Sequence, residues 1–272
     1  MNRLCCTLLM SVRFLTMSAA LGGLGTVAAA QTATPIPEVT GPILVTTDSY
    51  PLMAANRIQA VVDLTAAGYV EEEFFVRGMS NVYRWGSDGS LSIKTPNAPY
   101  TTRILVRRPA DPSAFSGNVI VELVIEARRY DWAFIWGQAY QHFLENGDAF
   151  VAITHDVNNL ASLKTFDPVR YASLSFANPV PDETCGPNNQ TSDSEPGLAW
   201  DMISQVGALL KNNLSSGPLP GFDVERVYMT SHHGQAATYA LTVHSSAFLA
   251  DGSPVYDGYV IKSSDRPDPI SR

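Results

Sequence analysis

The feature that most constrains the fold of this 272-residue chain is a regular alternation of strand and helix patterns from Asn118 onward. Asn118–Ile125 (NVIVELVI) is almost entirely apolar, as expected for a strand buried on both faces of a parallel sheet. Two strands are predicted before it, at Val70–Trp85 and Thr101–Arg108. A helix follows it, with apolar residues at helical spacing and an end at Asn146-Gly147; these residues are Trp132, Trp136, Ala139, Tyr140 and Phe143. The remaining predicted units are, in order, a strand at Phe150–Thr154, a helix over Leu198–Leu210, a strand at Val227–Met229, a helix over 236–249 and a strand at Gly258–Ile261. This alternation predicts an α/β fold with a mostly parallel sheet flanked by helices.

The first 30 residues have the features of a secretory signal. Two arginines precede the apolar stretch Phe14–Val27, and Ala28–Ala30 fits a small-residue cleavage site. We therefore expect a periplasmic or secreted protein whose single domain covers residues 31–272. No second apolar run is long enough to span a bilayer, so we expect no membrane association after the signal is removed.

Composition excludes several classes of partner and cofactor. The formal net charge is −8 at pH 7 and no block of basic residues occurs, so binding to nucleic acid is not expected. Cys185 is the one cysteine beyond the predicted signal, which leaves no disulfide within the mature chain. Neither a G-x-G-x-x-G nor a Walker pattern occurs, so no nucleotide cofactor is expected.

Several longer blocks carry a resemblance to a known family. The blocks are GYVEEEFFVRG (68–78), PYTTRILVRRP (99–109), FSGNVIVEL (115–123), RRYDW (128–132), FLENGDAFVAIT (143–154), LKTFDPVRYASLSFANP (163–179) and DGSPVYDGYVI (251–261). In this order they resemble a family of exported α/β-hydrolase-domain proteins that are known mainly as esterases. The resemblance implies an α/β-hydrolase fold, a small ester-like substrate, no cofactor, and a serine nucleophile in a G-x-S-Q context after the strand at Val227–Met229.

The segment that should carry this serine reads VYMTSHHGQ, from Val227 to Gln235. Aligning the strand first puts His233 at the nucleophile position. Aligning the following helix first puts Gly234 there and makes Gln235 the next residue. Neither alignment yields a serine, and Ser231 is the nearest one. We therefore take Ser231 and His233 as the candidate catalytic residues, although a base two residues along the same turn rarely points back at the nucleophile.

Three further residues are candidates for contact with substrate. The resemblance implies that the loop Glu126–Asp131 lends a backbone N–H group to an oxyanion hole, together with the N–H near Gln235. Arg128 matches an arginine of the family, where it would meet a substrate carbonyl or carboxylate or else form a salt bridge. His155 follows a predicted strand and so lies at the carboxyl end of the sheet, where ligands usually bind.

No metal site is expected. His232 and His233 are adjacent, and neighbouring side chains on a strand point to opposite faces. His155 and Asp156 are the obvious additional ligands, and no H-E-x-x-H motif or cysteine cluster supports them. Glu122 is unusual inside so apolar a strand, and we expect a structural pairing with Arg103 or Arg107 on the neighbouring strand.

Three functional hypotheses remain open. In the family's fold the acid and the histidine of the triad follow the nucleophile, whereas no histidine follows His244 in this sequence. We therefore expect a truncated or degenerate carboxylic-ester hydrolase that lacks the C-terminal strands. The alternatives are a non-catalytic descendant that binds a small ester-like ligand, and an inactive fragment.

Overall fold

The computed structural model describes residues 32–58, 61–87, 90–125, 130–181, 193–212 and 214–262. Within these ranges the strands are β1 Glu38–Thr40, β2 Tyr69–Trp85, β3 Leu91–Pro109, β4 Asn118–Leu123, β5 Ala149–Ile153, β6 Arg226–His232 and β7 Gly258–Lys262. The α-helices are α1 Phe134–Asn146, α2 Val157–Phe166, α3 Ala199–Lys211 and α4 Gln235–Thr238. The predicted signal and Arg128 and Cys185 lie outside the described residues.

The seven strands form one mixed sheet in the order β1-β2-β3-β5-β4-β6-β7. β5, β4, β6 and β7 are mutually parallel and are connected through helices, while β1, β2 and β3 pair antiparallel with their neighbours. The predicted α/β architecture is therefore confirmed. The parallel part coincides with the alternating units of the sequence, and the antiparallel part with the two long strands that precede them.

Alternate residues of the central strands face two separate apolar cores. On β5, Phe150 packs against Trp136 of α1 on one face of the sheet, whereas Val151 points to the other face. That second face packs against α3, whose Met202 and Val206 are completely buried. Burial of both faces explains why β5 is apolar along its whole length and why β4 is apolar apart from Asn118 and Glu122.

Gly147 ends α1 as the sequence predicts. Its φ of 75° lies in the left-handed region, and its N–H donates to the Phe143 carbonyl. A Cβ atom at this position would lie 2.1 Å from the carbonyl oxygen of Ala114, so glycine is required by both conformation and space.

The helix predicted over 236–249 is wrong in its length and regularity. One α-turn, α4, passes into a π-turn at Tyr239–Val243 and a 3-10 turn at His244–Ser246, and Ala247 is extended. Tyr239 is fully buried, with its hydroxyl 2.6 Å from the Ser204 hydroxyl of α3. This tertiary contact accompanies the departure from regular α geometry.

Among the described residues, no helix is long and apolar enough to cross a membrane.

Candidate active site

The strand order reverses at β4, and in open α/β sheets such a reversal forms a crevice at the carboxyl ends of the strands, here β4 and β6. The chain passes from β4 through α1 to β5 on one side of β4, and then crosses to β6 on the other side. In open α/β sheets, ligands bind outside the carboxyl ends of the strands where the order reverses in this way. The segment after Leu123 and the turn after His232 border this position.

The turn between β6 and α4 is sharp and its backbone is strained. β6 ends at His232 and α4 begins at Gln235, so His233 and Gly234 make the whole connection. His233 has φ of 111°, a region that side chains other than glycine rarely adopt. Its N–H donates to the Lys262 carbonyl of β7 at 3.1 Å. This geometry matches the strand-first alignment, with His233 at the bend and Gly234, rather than Gln235, directly after it.

Ser231 lies inside this turn. Its side chain is completely buried, and its hydroxyl donates to the His233 carbonyl and accepts from the Ala236 N–H, each at 3.0 Å. The hydroxyl thus joins the strand side of the turn to the helix side. Its partner on His233 is the backbone carbonyl, not the imidazole ring. A catalytic role for Ser231 stays a prediction, and such a role would require the hydroxyl to leave these two partners.

A group of half-buried rings surrounds the bend. The His232 ring lies 4.1 Å from the Phe134 ring at the start of α1, and the His233 ring meets His232 edge-on at 4.6 Å. Trp132 contacts Phe134 at 5.4 Å, and the Lys262 ammonium lies 4.5 Å from the Phe134 ring centre. The bend therefore faces an aromatic surface with one cation at its border.

His155 and Gln235 lie at the same edge of the sheet without touching the His233 ring in any described contact. Ile153 on β5 and Ser231 on β6 both pair with Leu123, so they occupy equivalent positions on strands roughly 10 Å apart. His155 and His233 each follow these positions by two residues. His155 is 6% exposed and Gln235 is 7% exposed. Within the described residues, the His155 Nδ1 and Gln235 Oε1 atoms have no hydrogen-bond partner. Their roles in binding substrate stay predictions.

The loop that follows β4 is fixed at both ends. The Ile125 N–H donates to the Trp132 carbonyl at 3.1 Å. Asp131 accepts hydrogen bonds from the Arg103 guanidinium at 2.7 Å and from the Thr154 hydroxyl. The candidate Arg128 lies between these anchors but outside the described residues. The sequence suggests Asp131 as a salt-bridge partner of Arg128 rather than of Arg103, and it does not single out Thr154, because nothing in a strand pattern reveals which polar residue meets a neighbouring loop.

Arg103 belongs to a larger buried cluster of charges. Its guanidinium donates to Glu73 at 2.7 Å, and Glu73 also accepts from Arg170 at 2.6 Å and from the Tyr171 hydroxyl at 2.8 Å. Burial lowers the pKa of Arg103, but Glu73, Tyr171 and Asp131 outweigh it, so the pKa is raised overall. The guanidinium therefore stays charged, and its partners are held beside it.

Glu122 has a structural role, as predicted, but with different partners. Its two carboxylate oxygens accept the N–H groups of Ile135 and Trp136 at 2.8 and 3.0 Å. These donors lie in the first turn of α1, where N–H groups have no partner within the helix. The expected ion pair with Arg103 or Arg107 is wrong: Arg103 binds Glu73 and Asp131, and Arg107 binds Glu71 at 2.8 Å. Burial raises the pKa of Glu122 to about 7.

Among the described residues, no group of three or more His, Cys, Asp and Glu side chains is arranged to hold a metal ion.

The helix-linked parallel strands, the order reversal at β4 and the strained turn from β6 to α4 define a protein of the α/β-hydrolase class. The sequence model of the alpha/beta hydrolase domain family matches residues 39–272. The chain therefore belongs to this family.

Solved structures with some similarity include two esterases. A glucuronoyl esterase from Solibacter usitatus is 12% identical with a TM-score of 0.31, over 72% of this chain and 48% of its own. A CE15 glucuronoyl esterase from Teredinibacter turnerae T7901 is 11% identical with a TM-score of 0.28, over 74% of this chain and 40% of its own. The chain thus spans less than half of either structure. No match was found among curated proteins.

Proposed function

We propose that this protein hydrolyses carboxylic esters in the crevice beyond β4 and β6, with His233 as the reacting side chain. The observation that carries the proposal is the position of His233. It occupies the strained bend at φ 111° and is half-buried. In the strand-first alignment, the family resemblance puts the nucleophile at this position. Imidazole acts both as a general base and as a nucleophile in acyl transfer, so a histidine at this bend retains the means to attack or to activate water.

The surroundings of the bend suit an ester. Trp132, Phe134 and His232 offer ring faces for an apolar acyl or leaving group. By the family resemblance, the Gly234 N–H and the loop after Ile125 would stabilise the oxyanion. Arg128 in that loop would meet a carbonyl or carboxylate oxygen of the substrate.

The proposal is tested by ester hydrolysis with the full chain and three variants. We expect His233→Ala to reduce turnover of a chromogenic aryl ester at least tenfold. His142→Ala is the matched control, because it removes an imidazole from the exposed face of α1 and should leave turnover unchanged. Unchanged turnover in His233→Ala would exclude His233 as the reacting group. Loss of turnover in Ser231→Ala, with a stable fold, would instead favour Ser231.

A second candidate function is ligand binding without catalysis. It is favoured by one observation: the Ser231 hydroxyl is bound to turn backbone and has no described contact with an imidazole ring. In that case wild-type protein would show no ester turnover, while ester analogues would still raise its melting temperature. Binding that disappears in Phe134→Ala would locate the ligand at the ring surface.

We further propose that the protein is exported and that residues 1–30 are removed. The basic start, the apolar stretch and the Ala28–Ala30 site support this proposal. Expression in a secreting bacterial host should yield a chain that begins at Gln31 by N-terminal sequencing. Recovery of the intact chain in the cytoplasm would contradict it.

A further inference from the structure

We propose that His233 is a covalent acyl acceptor: the acyl group of an aryl ester or thioester is transferred to its imidazole, and water then releases it. The inference rests on the ester hydrolysis proposed above and adds the intermediate and the substrate class. The juxtaposition that carries it is an imidazole at the apex of the bend beside a serine whose hydroxyl is bound to the turn.

The hydrogen bonds of the turn favour the imidazole over the hydroxyl as nucleophile. Ser231 is completely buried, and both of its hydrogen bonds hold its oxygen against backbone atoms. His233 is half-buried, so part of the residue is open to solvent. No described contact pairs the His233 ring with the Ser231 hydroxyl, so the ring has no serine to activate. The imidazole is therefore the group in a position to attack.

The chain holds the ring in place from two directions. The His233 N–H is bound to the Lys262 carbonyl at 3.1 Å, which fixes the backbone of the bend on β7. The His232 ring lies between Phe134 and His233, with ring centres 4.1 and 4.6 Å away, and so limits the movement of the His233 ring on one side. A nucleophile held in this way avoids part of the entropy cost of reaching its target.

The step balances without a further reactant other than water. A ring nitrogen lone pair forms a C–N bond to the ester carbonyl carbon, and the C–O or C–S bond breaks as the aryloxide or thiolate leaves with its electron pair. The acylated ring loses its remaining N–H proton to the leaving group or to solvent. Water then attacks the same carbon, the C–N bond breaks, and the carboxylic acid and the free imidazole are regenerated.

The leaving group sets the substrate class. The tetrahedral intermediate expels whichever group departs more easily, so a poor leaving group simply returns the ester and the free imidazole. A free imidazolium has a pKa of about 6.5, thiols about 8.5 and phenols about 10, so expulsion of a thiolate or phenolate competes with return of the ring, whereas simple alcohols resemble water, at about 15.7, and leave too slowly to compete. Aryl esters and thioesters are therefore cleaved through an acyl-imidazole, and alkyl esters are not.

The test is mass spectrometry of the full chain, acid-quenched during turnover of 4-nitrophenyl acetate and digested to peptides. We expect an acetyl group on His233 in wild type and in His142→Ala. In His233→Ala we expect the total amount of acetyl-enzyme to be less than a tenth of the wild-type amount. His233→Ser is the sharper control, because it restores a hydroxyl at the same bend but removes the imidazole. We expect no acetyl-enzyme from it. Circular dichroism and melting temperature establish that each variant is folded.

The outcomes separate this inference from the function on which it rests. Acetylation of Ser231, or rapid turnover without an acetyl group on His233, would overturn the acyl-imidazole and leave ester hydrolysis standing. Equal rates on aryl and alkyl acetates would also contradict it. Acetylation of His233 that is never released would support the intermediate and refute the hydrolase. No reaction with any ester would refute both.

Discussion

At the scale of single residues, Glu122 shows how burial changes the behaviour of an ionisable group. Its side chain is fully buried, and its partners are two helix N–H groups rather than a cation. The loss of hydration outweighs these hydrogen bonds and the nearby charge of Arg107, and the pKa is raised from 4.5 to about 7. The folded protein therefore keeps a proton on this carboxyl group at pH values where the unfolded chain has lost it.

Glu122 should make stability fall as the pH rises. Below pH 4.5 Glu122 is protonated in both the folded and the unfolded state, and its full contribution to the free energy of unfolding is present. Between pH 4.5 and about 7 the folded state binds more protons than the unfolded state, so stability decreases, by on the order of 3 kcal/mol in total. Glu122→Gln stays neutral throughout. We expect its free energy of unfolding, relative to wild type, to increase between pH 5 and pH 8 in urea titrations.

Other carboxylates also titrate in this range, which is why the difference between variant and wild type is the quantity to follow. Glu38→Gln, on the exposed start of β1, is the control for removing a carboxylate elsewhere in the chain. A pH-independent difference between Glu122→Gln and wild type would show that the Glu122 carboxyl group titrates alike in both states.

At the scale of elements, the turn from β6 to α4 combines strain with firm support. His233 at φ 111° costs on the order of 1–3 kcal/mol, which the β-ladder and the Ser231 hydrogen bonds offset. Glycine adopts this conformation without steric cost, whereas alanine does not. We expect His233→Gly to be more stable than His233→Ala by about 1 kcal/mol in denaturant unfolding, after part of the gain is lost to the greater unfolded-state entropy of glycine.

Both variants lose the same ring contact with His232, so the comparison isolates the backbone. Equal stabilities, or a more stable alanine variant, would mean that the bend relaxes to an ordinary conformation when the imidazole is removed.

Much of the framework could be predicted because burial on two faces leaves a clear pattern. The strands near Val119 and Phe150 and the helix containing Met202 all lie where continuous or helical apolar spacing indicates. The sequence does not predict α2. Its buried apolar residues are Leu160 and Leu163, and two residues are too few to show a helical period. The helix after the bend is shorter than predicted, and spacing alone does not reveal the Tyr239–Ser204 contact that accompanies its irregular geometry.

The position of the bend was predictable, but the contacts within it were not. The family resemblance located the bend, which the structure forms between β6 and α4, although the helix that follows is shorter than predicted. The choice between His233 and Gly234 required the backbone angle at the bend. The two hydrogen bonds of Ser231 and the anchoring of Asp131 by Arg103 join residues through space, and no spacing along the chain encodes them.

At the scale of the whole molecule, the buried charge cluster joins segments far apart in sequence. Glu73 on β2 and Arg103 on β3 meet Asp131 before α1 and Arg170 after α2. Removing the cation at its centre leaves the buried Asp131 carboxylate without an ion-pair partner and leaves Arg170 as the remaining ion-pair partner of Glu73. We expect Arg103→Met to reduce the free energy of unfolding by about 3–5 kcal/mol, measured by urea denaturation.

Arg226→Met is the matched control, because Arg226 forms an exposed pair with Glu225 at 3.5 Å. Its removal should change stability by less than about 1 kcal/mol. A small change in the free energy of unfolding for Arg103→Met would mean that Glu73 and Asp131 are compensated by other groups or by water when the guanidinium is removed. Lower ester turnover in a folded Arg103→Met protein would indicate that the loop after β4 needs the Asp131 anchor.

The hydrogen bonds of Ser231 have a consequence for engineering position 233. Because Ser231 holds the strand to the helix, the bend has supports that do not involve the side chain at its apex. Other reactive side chains can therefore be placed at position 233 while these supports are kept, and the difference in stability between variants then reports the cost of the backbone angle.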